Sequence, residues 1–383
     1  MTDGTVGVNG AAGAVKQYFV GKYIESMRDV YLASLLGGLN AVAIGAPGFG
    51  KTDVALSLLG DIFGVGQFTF TRLSPSSPVE MVEGAVDISR LMNVSEFTRN
   101  VAGTPMDTNL KAHLVDEIFR ANAMVLQSLM FVTDRKDVRH PAPVLATANF
   151  LPKGDEFEAL LDRFSLWCWV EPSPADAGAI ARAKLLGGVG ILHVQGTLPT
   201  AAEIEEVKRA AEQPGLAAVE AVAGVVEQLA SDAAAEGLQA NPRRITAWAH
   251  LLYRSGVYYA GSADFKNVPA AAMKLLRFAW RSASAEEGRR WAQIAASVTD
   301  PVAAVVEQAL ADGAEVVNTA VDAMTGIANQ GQKFTLLGEA STKLQSIQKT
   351  LNALGTNDPR ILEANNTIMG WFGALAGGRK VER

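Results

Sequence analysis

One stretch constrains this chain more than any other: Gly45-Ala46-Pro47-Gly48-Phe49-Gly50-Lys51-Thr52 fits the spacing G-x-x-x-x-G-K-[ST] of a phosphate-binding loop. Its glycines let backbone N–H groups curl round phosphate oxygens. Lys51 reaches the β- and γ-phosphates, and the Thr52 hydroxyl is an oxygen ligand for Mg²⁺. The apolar run Leu39 to Ile44 ahead of the loop reads as a strand. Val54, Ala55, Leu58, Leu59 and Ile62 after it have the spacing of a helix face. Strand, glycine loop and helix together aim a helix N-terminus, with its free N–H groups and partial positive charge, at an anion. ATP with Mg²⁺ is the expected cofactor, contacted by Gly45, Pro47, Gly48, Phe49, Gly50, Lys51, Thr52 and Asp53. The competing reading is a glycine-rich turn with no ligand.

Composition narrows the setting. With 383 residues, 49% hydrophobic and 19% charged, the chain can bury a large core and divides into two or three domains. A net charge of −6 argues against a nucleic-acid surface spread over the whole protein. Cys168 is the only cysteine, which excludes an intrachain disulfide and a cysteine-based zinc site and suits a reducing compartment, by default the cytoplasm. The segment Met1 to Ala14 has no basic stretch followed by an apolar one, so it reads as a mobile tail rather than a signal peptide. Gly215 to Val226 is broken by Glu220 and Gly224, and no membrane span is expected. His113, His140, His193 and His250 show no metal spacing; His113, within an apolar strand, reads as a packed core histidine.

Taken in order, apolar positions from Tyr18 to Leu35 suit helices packing under the loop, and Phe19-Val20-Gly21 fits either an adenine pocket, contacted by Val20 and Gly21, or plain core packing. Gln67 to Leu73 reads as a second strand. Residues 75 to 109 form a long irregular insertion, which is more often functional than filler. Leu110 to Glu117 is a short strand ending in two acids. In an ATPase, Asp116 there holds Mg²⁺ and Glu117 polarises the attacking water. After a helix over Ile118 to Val132 and a charged turn from Asp134 to His140, a third strand, Pro143 to Ala148, delivers Asn149 at its C-terminal end. That end is where ligands lie in parallel sheets, so Asn149 either orients the hydrolytic water or caps the chain structurally. Leu160-Leu161-Asp162-Arg163-Phe164 precedes an aromatic strand, Ser165 to Val170. Arg163 suits an arginine finger reaching a neighbour's γ-phosphate, with a local salt bridge as the alternative. Repeated β-α units predict a parallel, doubly wound α/β sheet.

A second domain begins near Glu171-Pro172. Thr200-Ala201-Ala202-Glu203 is a capping box opening a helix, and Asn241-Pro242 is a side-chain cap with proline in the first turn. Arg243 and Arg244 then sit where the helix dipole disfavours cations, which points to an anionic partner. Arg243 is the candidate second sensor of the γ-phosphate, with surface solvation as the alternative. From Ser282 onward the chain reads as helices with no clustered chemistry: Asp300-Pro301 and Asp358-Pro359 look like starts, Gly331 and Gly355 like stops, and Val302 to Ile327 like one long helix. The expected domains are a tail over 1–14, an α/β nucleotide-binding domain over 15–172, a helical lid over 173–281 and a helical region for partner or oligomer contacts over 282–383.

Over roughly residues 15 to 280 the chain resembles the MoxR family of AAA+ ATPases, and within it the RavA-like branch. The matching pieces are GAPGFGKT, LVDEIFRA with Arg120, LATANFLP with Asn149, LLDRF with Arg163, the NPRR helix start, and YYAGSADFKNVPAAAMKLL from Tyr258 to Leu276. The resemblance implies a hexameric ring with ATP between subunits, Arg163 acting in trans, and substrate-facing elements in the 75–109 insertion. It also implies a chaperone for assembly, maturation or cofactor insertion, often beside a partner with a von Willebrand factor A domain. His113, Asp53 and the unmatched C-terminal helices depart from the family pattern. Two functional expectations follow: a ring that remodels or activates a protein partner at the expense of ATP, or a structural assembly protein whose oligomerisation is set by nucleotide.

Overall fold

Five short runs pair edge to edge, all in parallel: β1 (Ala41–Ile44), β2 (Phe68–Arg72), β5 (Ala112–Asp116), β6 (Val144–Ala148) and β7 (Leu166–Trp169), in the order β2-β5-β6-β1-β7. Every residue of β1, β5 and β6 is buried, which explains why their sequences run nearly continuously apolar instead of alternating. The structure, a computed structural model, describes residues 22–134, 142–171, 198–325, 327, 329–353 and 358–381. It divides into two units, Met1–Trp291 and Ala292–Arg383. The expected α/β sheet is present, and its strands begin and end within a residue or two of the ranges the sequence indicates.

Helices connect the strands. α1 (Lys22–Gly37) precedes β1, α2 (Lys51–Phe63) joins β1 to β2, α5 (Ala123–Thr133) joins β5 to β6, and the short α6 (Asp155–Leu161) joins β6 to β7. α2 buries Val54, Ala55, Leu58, Leu59 and Ile62, the stripe expected from their spacing. The segment after β5 is a 3₁₀ turn, Ile118–Arg120, before α5 starts behind an Asn122 cap, so the helix expected from Ile118 begins later. Residues 75–109 hold α3 (Glu80–Glu83), an antiparallel pair of β3 (Ala85–Val86) with β4 (Arg99–Asn100), and α4 (Ile88–Val94), none of whose residues is buried.

The lid follows. α7 (Ala201–Ala210) opens on the Thr200–Glu203 capping box, α8 (Leu216–Ala235) comes next, and α9 (Pro242–Ala260) is capped by the Asn241 side chain accepting from Arg244 N–H at 2.9 Å. α10 (Ala270–Met273) and α11 (Ala285–Thr299) follow. Three stacked indoles fasten this part: Trp248 and Trp291 lie 5.2 Å apart, and Trp280 and Trp291 4.7 Å, centroid to centroid. In the second unit α12 (Pro301–Met324), α13 (Gln330–Ala353) and α14 (Pro359–Ala376) enclose a core that includes Val317, Leu344, Leu351, Ile368 and Trp371. One sequence expectation fails here: Gly331 lies in the first turn of α13, where its N–H donates to the Asn329 side chain at 2.8 Å, and does not stop a helix. Gly355, Val20, Gly21, Pro172, His140 and His193 lie outside the described residues. Among the described residues no helix is long and apolar enough to cross a membrane.

Asn40 ties the base of the sheet together. Its Nδ2 donates to the carbonyls of Thr133 at 2.9 Å and Arg163 at 3.1 Å, and its Oδ1 accepts from Val144 N–H at 3.0 Å. At 4% exposure these groups have no water to fall back on. Asn40→Ala is expected to cost about 2–4 kcal/mol by orphaning them, read as a lowered urea midpoint with an unchanged slope.

Candidate nucleotide site

The C-terminal ends of β1, β5 and β6 lie side by side, and the expected chemistry gathers there. Gly45 leaves β1 with its N–H donating to the Ala148 carbonyl at 3.1 Å, and a Cβ on Gly45 would come within 2.6 Å of the Val170 carbonyl. Gly48 and Gly50 have φ of 89° and 74°, a left-handed turn that glycine adopts without steric cost. Gly50 caps α2, so the helix's first N–H groups and Lys51 face the inside of the loop. Pro47 and Gly48 are exposed, Phe49 is half-buried, and Asp53 is exposed in the first turn of α2, the favoured end for an acid.

Lys51 is only 6% exposed. Its Nζ donates to the carbonyls of Gly45 at 2.7 Å and Ala46 at 2.8 Å and to Asn149 Oδ1 at 3.0 Å. Burial pushes its ammonium below the usual lysine value, while the charges of Glu117 and Asp116 pull the other way. Asn149 Nδ2 donates to Glu117 Oε1, so one amide joins the loop lysine to the second acid. The other Glu117 oxygen is buried, accepts no hydrogen bond among the described residues, and lies 3.3 Å from Arg120 Nε as an ion pair. Glu117 holds φ at 59°, a conformation rare outside glycine.

Asp116 collects three side chains. Oδ1 accepts from Thr52 Oγ1 at 2.8 Å and from Thr147 Oγ1, and Oδ2 accepts from Arg72 Nε at 2.7 Å. Burial alone would raise its carboxyl; the hydrogen bonds from Thr147, Thr52 and Arg72 outweigh that and hold it below the ordinary aspartate range. A hydroxyl and an ionised carboxylate in contact are hard oxygen donors of the kind Mg²⁺ takes, with phosphate oxygens completing its shell. No cluster of three or more His, Cys, Asp or Glu able to cage a metal occurs among the described residues. The residues therefore fit a nucleotide-bound Mg²⁺ and no all-protein cage.

The structure brings together Lys51, Thr52, Asp116, Glu117 and Asn149. The two arginines have other partners. Arg163 Nη1 donates to the Ala159 carbonyl, Nη2 lies 3.4 Å from Asp134 Oδ2, and Nε finds no hydrogen-bond partner among the described residues. Arg243 Nη1 pairs with Asp162 Oδ2 at 2.6 Å, while Arg244 sits over the Trp280 ring at 4.5 Å, burial pushing it down to about 10. Sequence reasoning missed Thr147 and Arg72 as partners of Asp116. Thr147 stands two places before Asn149 on β6 and so shares its side of the strand; Arg72 stands opposite Asp116 in the β2–β5 register.

A parallel sheet with a phosphate loop after its second-from-edge strand, a polar residue at the end of the strand beside it and an acid pair at the end of the next strand over defines a nucleotide-binding AAA+ core. The sequence model of the MoxR domain in MoxR–vWA–β-propeller ternary systems matches residues 7–202, and the chain belongs to the MoxR family. That match does not single out the RavA-like branch. No curated protein matches the chain. Among solved structures it is similar to a candidate ATPase from Cytophaga hutchinsonii, at 15% identity over 67% of this chain and 84% of that one, with a TM-score of 0.45. It is also similar to C. elegans PCH-2, at 14% identity over 61% and 69%, with a TM-score of 0.27.

The Asp116 contacts make a pH test. Its folded carboxyl titrates below the 3.8 of an isolated aspartate, so its contribution to stability is complete above that pH and is lost as pH falls through the folded value. Thr147→Val removes the strongest of the bonds that lower it, and the acid-unfolding midpoint should move to higher pH, followed by far-UV circular dichroism.

Proposed function

We propose that this chain is a Mg²⁺-dependent ATPase that assembles into a ring, hexameric by family resemblance, and uses ATP binding and hydrolysis to remodel, assemble or activate a protein partner. The observation that carries this reading is the convergence of two hydrogen-bonded chains at the mouth of the phosphate loop, Lys51–Asn149–Glu117 and Thr52–Asp116, joined by Thr147, which donates to Asp116 and accepts from Glu117 N–H. Magnesium, when bound, supplies charge neutralisation at the β- and γ-phosphates. Thr52 and Asp116 hold it, and Lys51 and the loop N–H groups hold the phosphates. Glu117 accepts a proton from the attacking water through Oε2, the oxygen beside Arg120, while Asn149 fixes the carboxylate by holding Oε1. Arg163 is supplied to the neighbouring subunit's site, and Arg243 is the candidate reporter of the γ-phosphate, a role it would take up on exchanging Asp162 for the nucleotide.

The partner follows from the family. Its description couples the MoxR domain with a von Willebrand factor A protein and a β-propeller, which supports a partner of the first kind for this chain. A placement in the RavA-like branch would give it a similar partner.

Glu117→Gln keeps the shape of the site and removes the base. It should bind a fluorescent ATP analogue with unchanged affinity and release phosphate at least about a hundredfold more slowly, the size of effect expected for a lost general base. Turnover equal to the parent's would remove Glu117 from the mechanism.

A further inference from the structure

Arg163 follows a short helix whose acidic face is held by the lid. The Asp162 N–H donates to the Glu158 carbonyl at 2.9 Å, which sets the two carboxylates one turn apart on the same face at the end of α6. Arg281 meets Glu158 as a planar fork, Nη1 to Oε2 and Nη2 to Oε1, both at 2.6 Å. Arg243 grips Asp162 at 2.6 Å. Arg163 is bonded back to the same helix through the Ala159 carbonyl. The lid thus holds the helix, and the helix holds the arginine.

The gripping residues are themselves anchored. Arg281 follows Trp280, which stacks on Trp291 and carries the Arg244 guanidinium over its ring. Ser282, next in the chain, accepts from Trp169 Nε1 at the end of β7 at 2.7 Å. Exposed ion pairs contribute little to stability, but a bidentate fork fixes direction as well as distance. Hydrogen bonds from Arg281 hold the Glu158 carboxyl below its usual range, so the fork stays charged at neutral pH. Leu160 and Leu161 seat the helix in the core of the sheet, and the two contacts with Arg281 and Arg243 fix its outer, acidic face.

We propose that Glu158 and Asp162 are positioning residues, through which the lid, by way of Arg281 and Arg243, sets the direction of Arg163. The state of one subunit's lid then governs the arginine offered to the next subunit's nucleotide. This rests on Arg163 acting in trans.

Glu158 and Arg281 lie outside the phosphate-binding cluster and provide the test. Glu158→Arg and Arg281→Glu should each lower kcat about tenfold, as expected for a misplaced catalytic group, with unchanged affinity for a fluorescent ATP analogue. The doubly exchanged protein, Glu158→Arg with Arg281→Glu, should recover most of the loss. On an Arg163→Ala background Glu158→Arg should have no further effect. Parental turnover in the single variants, failure of the exchange to restore it, or an added loss on the Arg163→Ala background would each overturn the proposal. Full turnover in Arg163→Ala alone would overturn the trans-acting reading and the clamp with it. A loss there beside normal turnover in Glu158→Arg would overturn the clamp only. Glu158→Gln, measured beside them for kcat and for melting temperature, separates a lost orientation from a lost fold: a tenfold fall with an unchanged melting temperature supports the clamp, and an unchanged kcat counts against it.

Discussion

The carboxylate of Asp116 is where three strands and the phosphate-loop helix meet. A charge buried at the end of a fully buried strand is costly unless its lone pairs are filled. Here they are filled from three directions: Thr52 from α2, Thr147 from β6 and Arg72 from β2. Each contact fixes the position of a different element, so the requirement to satisfy one ion brings β2, β5, β6 and α2 into a single relative arrangement. The site is therefore part of the core and shares its rigidity. The same bonds keep Asp116 ionised, which is the state a Mg²⁺ ligand needs.

A second chain of contacts runs alongside the first. Lys51 is held by the carbonyls of its own loop and by Asn149, Asn149 holds Glu117, and Glu117 pairs with Arg120. The lysine is thus already drawn into the loop, which lowers the ordering cost of meeting a phosphate. Glu117 keeps a left-handed backbone that costs of the order of 1 kcal/mol or more for a residue with a side chain. The chain turns sharply there after β5, and one Glu117 oxygen is buried, paired with Arg120 and without a hydrogen bond among the described residues.

Much of this was legible in the sequence because it is local. The loop spacing, the acid pair closing an apolar run and the asparagine closing another each carry their own chemistry, and all sit at strand ends where parallel sheets place ligands. The partners of Asp116 were not legible, because Arg72 and Thr147 reach it through strand register, which no short stretch encodes. The same limit hid the pairing of Arg281 with Glu158, separated by most of the lid. Gly331 misled for a different reason: glycine marks both ends of helices, and here the Asn329 side chain, two residues earlier, makes it a beginning.

Arg163 shows how the local and the distant combine. Its carbonyl is fixed to the sheet by Asn40, whose other contacts reach Thr133 at the end of α5 and Val144 at the start of β6. The helix before it is bonded through Glu158 and Asp162 to Arg281 and Arg243. Phe164, the next residue, is fully buried. The backbone at Arg163 is therefore tied to the sheet, and the helix leading into it packs Leu160 and Leu161 into the sheet's core while Glu158 and Asp162 pair with Arg281 and Arg243. On the proposed reading, in which Arg163 serves a neighbouring subunit's nucleotide, its direction depends on both sets of contacts: the sheet through Asn40, and Arg281 and Arg243 through Glu158 and Asp162.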